Sequence, residues 1–282
     1  MTDNDFLVSS HGVAIPKIIY GTAWKKERTA GLVEQALRLG FRGIDTAGQP
    51  KHYDEAGVGA GLTAFLAQGF KRENIYLQSK FTPVDGQDPA RMPYDRNASL
   101  TDQVVQSFHG SLKNLRTDYL DCLVLHSPLP NERGFMEVWQ AMQAIFDQGL
   151  VKQLGISNCY GLAILQRLYD KARIKPAVLQ NRFYAGTGFD RDIRAFCRRQ
   201  SVFYQGFWTL TANPEILTHA TLRGLARRNQ CSPAQVFFRY LTRIGIIPLT
   251  GTTSEDHMRQ DLAIFAIELT DSDCDALGRL LS

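Results

Sequence analysis

The stretch YLDCLVLHSPLPNERGFMEVWQAMQAIFDQGLVKQLGISN (119–158) decides how the rest of the chain is read. Its first part, YLDCLVLH (119–126), is a β-rich run. Its middle, ERGFMEVWQAMQAIFDQGL (132–150), spaces its apolar residues as one face of a helix. Its last part, VKQLGISN (151–158), returns to strand character and ends on polar residues. Strand, helix and strand in this order form one unit of a parallel sheet. Outward from this unit the pattern repeats in both directions. Strand candidates precede it at IIYGTA (18–23), RGIDTA (42–47) and IYLQSKF (75–81), and follow it at AVLQNRF (177–183), SVFYQGF (201–207) and GIIPLT (245–250). Between them, ERTAGLVEQALRLG (27–40) sets Leu32, Val33, Ala36 and Leu37 near one stripe, with Gly40 where a C-cap belongs. SLTDQVVQSFHGSLKNL (99–115) opens on Ser99 as an N-cap, and GLAILQRLYDKA (161–172) follows the same periodicity. Eight strands alternating with helices predict a single (β/α)8 TIM barrel over residues 1–282, close to the ~250 residues usual for that fold.

Two segments stand outside the repeat. FLVSSHGVAIPKI at the start reads as a hairpin turning at His11-Gly12 and closing the barrel bottom, and CSPAQVFFRYLT (231–242) reads as an extra helix before the last strand. TPVDGQDPARMPYDRNAS (82–99) is a long Pro/Asp/Gly-rich connection, a length uncommon in loops without a function. The glycine run GVGAGL (57–62) lies inside a predicted helix and not between a strand and a helix, so it reads as close packing instead of a dinucleotide loop. The 32 basic and 28 acidic residues are dispersed, which argues against nucleic acid or a membrane surface as partner. Five scattered cysteines, an acidic N-terminus without an apolar core and no apolar run of ~20 residues predict free thiols and a cytoplasmic protein, monomeric or weakly self-associating.

In such barrels chemistry gathers at the C-terminal ends of the strands. Read there, the chain offers Asp45, Lys80, His126, Ser157, Asn158, Gln180 and Tyr204, with Tyr53 in the loop after the second strand. A lysine beside a carboxylate stays charged, and an ammonium near a phenol favours phenolate, so Lys80 is expected to draw the tyrosine pKa downward toward use as a general acid. His126 would orient a carbonyl by hydrogen bonding. No metal is required.

GIDTA (43–47), YDEAGVG (53–59), LQSKF (77–81), LVLHSP (123–128) and LGISN (154–158), in this order along the whole chain, resemble the aldo-keto reductase superfamily. The resemblance implies hydride transfer between a nicotinamide cofactor and an aldehyde or ketone, with a tetrad of Asp45, Tyr53, Lys80 and His126 and Tyr53 as proton donor. It implies cofactor contacts from Gly21, Thr22, Asp45, Ser157, Asn158, Gln180, Tyr204 and Gln205, the tyrosine stacking on the nicotinamide. Thr250, Gly251, Thr252, Thr253, His257, Gln260 and Asp261 would lie along the adenosine half. The small-molecule carbonyl would meet Trp24, Phe81, Met92, Tyr94, Phe207 and Trp208; because the long C-terminal tail of many relatives is missing after AIFAIELTDSDCDALGRLLS, that pocket is expected to be more open and to suit a bulky or aromatic substrate.

The chain departs from the family at two further places. GQPKH lengthens the interval between Asp45 and Tyr53, which makes His52 a rival proton donor. At the last strand Leu249 follows Pro248 and His257 stands where many NADP-dependent members carry a lysine and an arginine. A 2′-phosphate favours such cations. Arg259 and the hydroxyls of Thr252, Thr253 and Ser254 are the expected compensation, so NADP(H) is the expected cofactor and NAD(H) the alternative. Arg182 and Tyr184 read equally as pocket or surface. Two other functions stay open: a cofactor-binding redox-neutral isomerase or double-bond reductase, and a non-catalytic cofactor-sensing regulatory subunit. His126, where an acid would suit double-bond reduction, favours carbonyl reduction.

Overall fold

Alternation along each strand sorts its side chains onto two faces, and in this molecule that sorting builds the site. The computed structural model describes residues 5–281; Met1–Asn4, which contributed to the reading of the N-terminus, and Ser282 lie outside them. The parallel strands β3 (Ile19–Gly21), β4 (Gly43–Asp45), β5 (Tyr76–Phe81), β6 (Cys122–Leu125), β7 (Leu154–Ser157), β8 (Val178–Arg182), β9 (Phe203–Phe207) and β10 (Ile246–Thr250) pair in chain order, and β10 returns to β3 to close the barrel. All eight lie within the runs expected from sequence. The antiparallel hairpin β1 (Phe6–Val8) and β2 (Ala14–Pro16) turns through Gly12 at φ +74°. It drives the fully buried Ile15 against Ile19, Tyr76, Val124 and Ile247, sealing the lower lumen with apolar side chains.

The larger core lies between the barrel and its helices. Helix α1 (Thr29–Leu39) ends on Gly40 at φ +125°, and α3 (Leu100–Leu115) starts on Ser99, whose hydroxyl accepts from the Asp102 amide. Helix α2 (Glu55–Leu66) carries the glycine run, which does serve packing. A Cβ on Gly59 would stand 2.1 Å from the Asn114 carbonyl oxygen of α3, and one on Gly61 2.4 Å from the Ala30 carbonyl oxygen of α1. Helices α4 (Glu132–Asp147), α5 (Leu162–Lys171) and α6 (Arg191–Arg199) follow β6, β7 and β8.

The extra helix expected at 231–242 is α9 (Pro233–Arg243), opened by a capping box between Ser232 and Gln235. Two helices the sequence reading passed over, α7 (Pro214–Thr218) and α8 (Ala220–Arg228), precede it. Helices α10 (Glu255–Leu262) and α11 (Asp271–Gly278) complete the chain described. Among the described residues no helix is long and apolar enough to cross a membrane, and all five cysteines are free.

The long segment 82–99 is fixed in place. Tyr94 Oη donates to the Thr82 carbonyl (2.7 Å), Gln87 Nε2 to the Gly48 carbonyl (2.8 Å) and Gln49 Nε2 to the Gly86 carbonyl (2.5 Å).

Candidate active site

Inward-facing positions of β4, β5 and β6 bring Asp45, Lys80 and, one residue beyond β6, His126 to the upper lumen. Lys80 is buried and its Nζ donates to Asp45 Oδ2 (2.6 Å) and to the Thr46 carbonyl (2.8 Å). Burial pulls the Lys80 pKa down, but attraction and hydrogen bonding to Asp45 and Tyr53 outweigh it and hold the ammonium above its ordinary value. Asp45 Oδ1 accepts two further bonds, from Gln78 Nε2 (2.7 Å) and Gln180 Nε2 (2.9 Å). Three donors thus fix both carboxylate oxygens.

The lengthened turn after β4 folds back on itself and is absorbed. The amides of His52 and Tyr53 both donate to the Gln49 carbonyl, His52 Nδ1 lies 2.9 Å from Gln49 Oε1, and the His52 ring stacks 4.0 Å from Trp24. Tyr53 arrives above the lysine, with Lys80 Nζ 5.0 Å from its ring centroid, and its ring meets His126 edge-on at 6.1 Å. Burial raises the Tyr53 pKa, Lys80 lowers it and Asp45 raises it. The net shift is upward, contrary to the expectation that Lys80 would bring it below its ordinary value. Desolvation prevails, and the phenol is a protonated donor at neutral pH. His126 is held well below its ordinary pKa by burial and by the Lys80 charge, so it is neutral. Its Nδ1 lies 2.6 Å from Thr82 Oγ1. With the Thr82 hydroxyl donating, Nε2–H is free to donate.

Across the mouth, Ser157 Oγ donates to the Gln180 carbonyl (2.6 Å), and Asn158 Nδ2 donates to the His126 carbonyl (2.8 Å) from a left-handed backbone at φ +52°. Trp24 (φ +63°) and Trp208 (φ +56°) share that conformation at the same end of the barrel. Strained backbone of this kind gathers at functional sites. Thr22 Oγ1 donates to the Asp45 carbonyl (2.9 Å), and Gly21 and Gly251 face each other at the ends of β3 and β10.

Several predicted residues are placed elsewhere. Gln205 faces inward and bonds Gln78 and Gln180 below the mouth. Its neighbour Tyr204 therefore faces the helix layer, where its hydroxyl donates to Asp190 Oδ2 (2.9 Å). It is not at the mouth. Phe207, in register with Arg182, is the aromatic residue at the inner end of β9. Phe81 follows the inward Lys80 and so faces outward. It is fully buried against Tyr94 in the core, and the partly buried Met92 packs there too. Asp261 is buried with Oδ2 accepting from Thr250 Oγ1 (2.7 Å), and burial raises its pKa to about 6. Arg259 is paired to Glu255 (2.5 Å), while Thr253, His257 and Gln260 are exposed beside Thr252.

Three contributors escaped the sequence reading. Gln78 carries no catalytic chemistry by type, and only the inward register reveals it. Glu55, the first residue of α2, is buried behind Lys80 and accepts from Ser79 Oγ (2.5 Å) and Ser111 Oγ (3.0 Å). Lys25, in the loop after β3, is nearly buried and its ammonium donates to the Gly251 carbonyl. It stands beside the loop 251–254 that leads into α10, whose N-terminus Ser254 caps. A helix N-terminus with an adjacent cation, two facing glycines and hydroxyls suits the phosphates of a dinucleotide.

The model for the Aldo/keto reductase family matches residues 17–281. An uncharacterized oxidoreductase of Bacillus subtilis, YtbE, is 28% identical over 96% of this chain and 90% of its own length. A glyoxal reductase of the same organism is 27% identical over 88% of this chain and 82% of its own. The crystal structure of a Bombyx mori aldo-keto reductase in complex with NADP superimposes with a TM-score of 0.83 at 25% identity, covering 97% of this chain and 92% of that one.

Proposed function

The chain belongs to the aldo/keto reductase family, and from that premise we propose that it reduces an aldehyde or ketone to an alcohol with NADP(H) as cofactor and Tyr53 as general acid. The observation that carries this reading is the buried Lys80–Asp45 pair seated directly under the Tyr53 ring beside a neutral His126.

The reduced nicotinamide, when bound, supplies the hydride. Ser157 and Asn158 at the end of β7 would hold its carboxamide, Phe207 would meet its ring, and Lys25 with the Ser254-capped end of α10 would hold its phosphates. Lys25 takes the part of the cations missing at Leu249 and His257, and with Thr252 and Thr253 it favours NADP(H) over NAD(H). The NADP complex of the Bombyx mori relative supports the same choice.

His126 Nε2–H orients the carbonyl oxygen toward Tyr53. Tyr53 Oη gives its proton to that oxygen as negative charge develops there, and Lys80, anchored by Asp45, stabilises the phenolate left behind. The acid works without a resting pKa near neutrality, because the ammonium's attraction grows as the proton leaves. His52 is not placed for this role, since its ring is engaged by Gln49 and Trp24.

The test is Tyr53→Phe. Reduction of an aromatic aldehyde should fall by about 10³-fold, within the range for loss of a general acid, while fluorescence titration returns an unchanged affinity for NADPH. Equal turnover in the variant would refute the assignment. Cofactor binding without turnover in the wild-type protein would favour the redox-neutral or regulatory function.

A further inference from the structure

Arg182 ends β8 on its inner face. Gln180, two residues earlier, bonds Asp45 and Gln205 inside the barrel, and Asn181 between them turns outward to Asp190. Alternation therefore returns Arg182 to the mouth, one layer above the glutamines. There its guanidinium lies 4.3 Å from the ring centroid of the half-exposed Trp208 and 5.5 Å from that of Tyr184. Among the described residues no ion pair involves Arg182, and its Nε is shielded from solvent without a hydrogen-bond partner. Packed on the Trp208 ring and near that of Tyr184, with no ion pair to hold it, the guanidinium keeps its charge at the mouth for a partner that is not protein. Its backbone is tied to the catalytic wall as well. The Arg182 amide donates to Tyr160 Oη (3.0 Å), Tyr160 Oη donates to Asn158 Oδ1 (3.4 Å), and Asn158 holds the His126 carbonyl.

We propose that Arg182 is an anion anchor at the barrel mouth and that the carbonyl substrate carries an acidic group, a carboxylate or phosphate, which it binds. This rests on the reductase reading and adds a substrate class to it. A planar guanidinium forks onto two oxygens of such a group, and stacking holds the fork in place before binding. The cofactor's phosphates could supply the same chemistry. Lys25 and the end of α10 already serve them on the β3–β10 side of the mouth, with β9 lying between β10 and Arg182.

The experiment compares wild type, Arg182→Gln and Arg182→Lys with 4-carboxybenzaldehyde and benzaldehyde at saturating NADPH, alongside a fluorescence titration of NADPH. The ratio of kcat/KM for the acidic over the neutral aldehyde should fall about tenfold in Arg182→Gln, through KM, with an intermediate value in Arg182→Lys. An unchanged ratio with a tenfold weaker NADPH affinity would keep the anion anchor but assign it to the cofactor, overturning the acidic-substrate part. No change in either overturns the whole. Thermal unfolding of each variant separates these results from a folding defect. If wild type turns over neither aldehyde, the reductase reading fails separately. Quenching of tryptophan fluorescence by benzoate and by inorganic phosphate then decides the anchor: quenching lost in Arg182→Gln upholds it, and equal quenching in variant and wild type overturns it.

Discussion

The two walls of the barrel mouth are built on opposite plans. On the β4–β6 wall the functional groups are anchored by protein partners: Lys80 by Asp45 and Thr46, Asp45 by three donors, His126 through Nδ1 by Thr82, and Glu55 by two serines. On the opposite wall, from β8 through β10 to the loop after β3, Arg182 has no carboxylate partner among the described residues, Trp208 is half-exposed, and Lys25 reaches a carbonyl. Chemistry requires groups held within a fraction of an ångström, and the committed wall supplies them from rigid strands and buried bonds. Recognition requires groups left with unspent capacity, and the other wall keeps it. Reaction type would then be set by β4–β6 and ligand choice by β8–β10.

Substitutions can break this division, and the largest effect is expected on the committed wall. Lys80→Met leaves Asp45 buried without its cation, so stability should drop by about 3–5 kcal/mol in chemical denaturation. Carbonyl reduction should fall by orders of magnitude, and the alkaline limb of the residual activity should move to higher pH as Tyr53 loses the one charge that lowers its pKa. A stable, fully active variant would show that the pair is ornamental.

Next comes the backing of that wall. Gly59→Ala drives a methyl into the Asn114 carbonyl, and since neither backbone can yield cheaply, unfolding should cost about 3 kcal/mol less. Because α2 begins just after Tyr53, kcat should fall further than KM rises; loss of stability alone would confine α2 to packing.

Asp261 is the exception on the open wall, a carboxyl buried against Thr250. Its folded pKa of about 6 lies above the ordinary 3.8. The stability this group contributes is therefore present below about pH 4 and lost as pH rises through 6. From the size of the shift the loss is on the order of 2–3 kcal/mol. Asp261→Asn keeps an oxygen for the Thr250 hydroxyl and should flatten that slope in denaturation curves taken between pH 4 and 7. An unaltered slope would place the titration elsewhere.

The smallest effect is expected at Lys25. Lys25→Met should weaken NADPH binding about tenfold, roughly 1.4 kcal/mol, and NADH less, as read by fluorescence titration. Equal weakening of both would assign Lys25 to the phosphates the two cofactors share.

The strands, and the meeting of Asp45, Lys80 and His126 at the mouth, were legible in the sequence because both depend on local pattern: β-rich runs at regular intervals, and those three residues at the ends of the runs. What escaped depends on which face a residue takes. Tyr204 has the right side chain for a nicotinamide platform, but it stands next to Gln205 and so on the wrong side of β9. Phe81 was misplaced for the same reason, lying beside Lys80. Gln78 and Lys25 have types that suggest nothing by themselves, and only closure of the barrel brings them to Asp45 and Gly251. The lengthened turn before Tyr53 looked like a threat to the site because a residue count says nothing of hydrogen bonds to Gln49.

The hairpin under the barrel has one more consequence. With Ile15 stoppering the lumen from below, the mouth is the open end of the barrel, and a cofactor, its substrate and the product would all share it. Whichever ligand lies deeper would then have to load first and leave last.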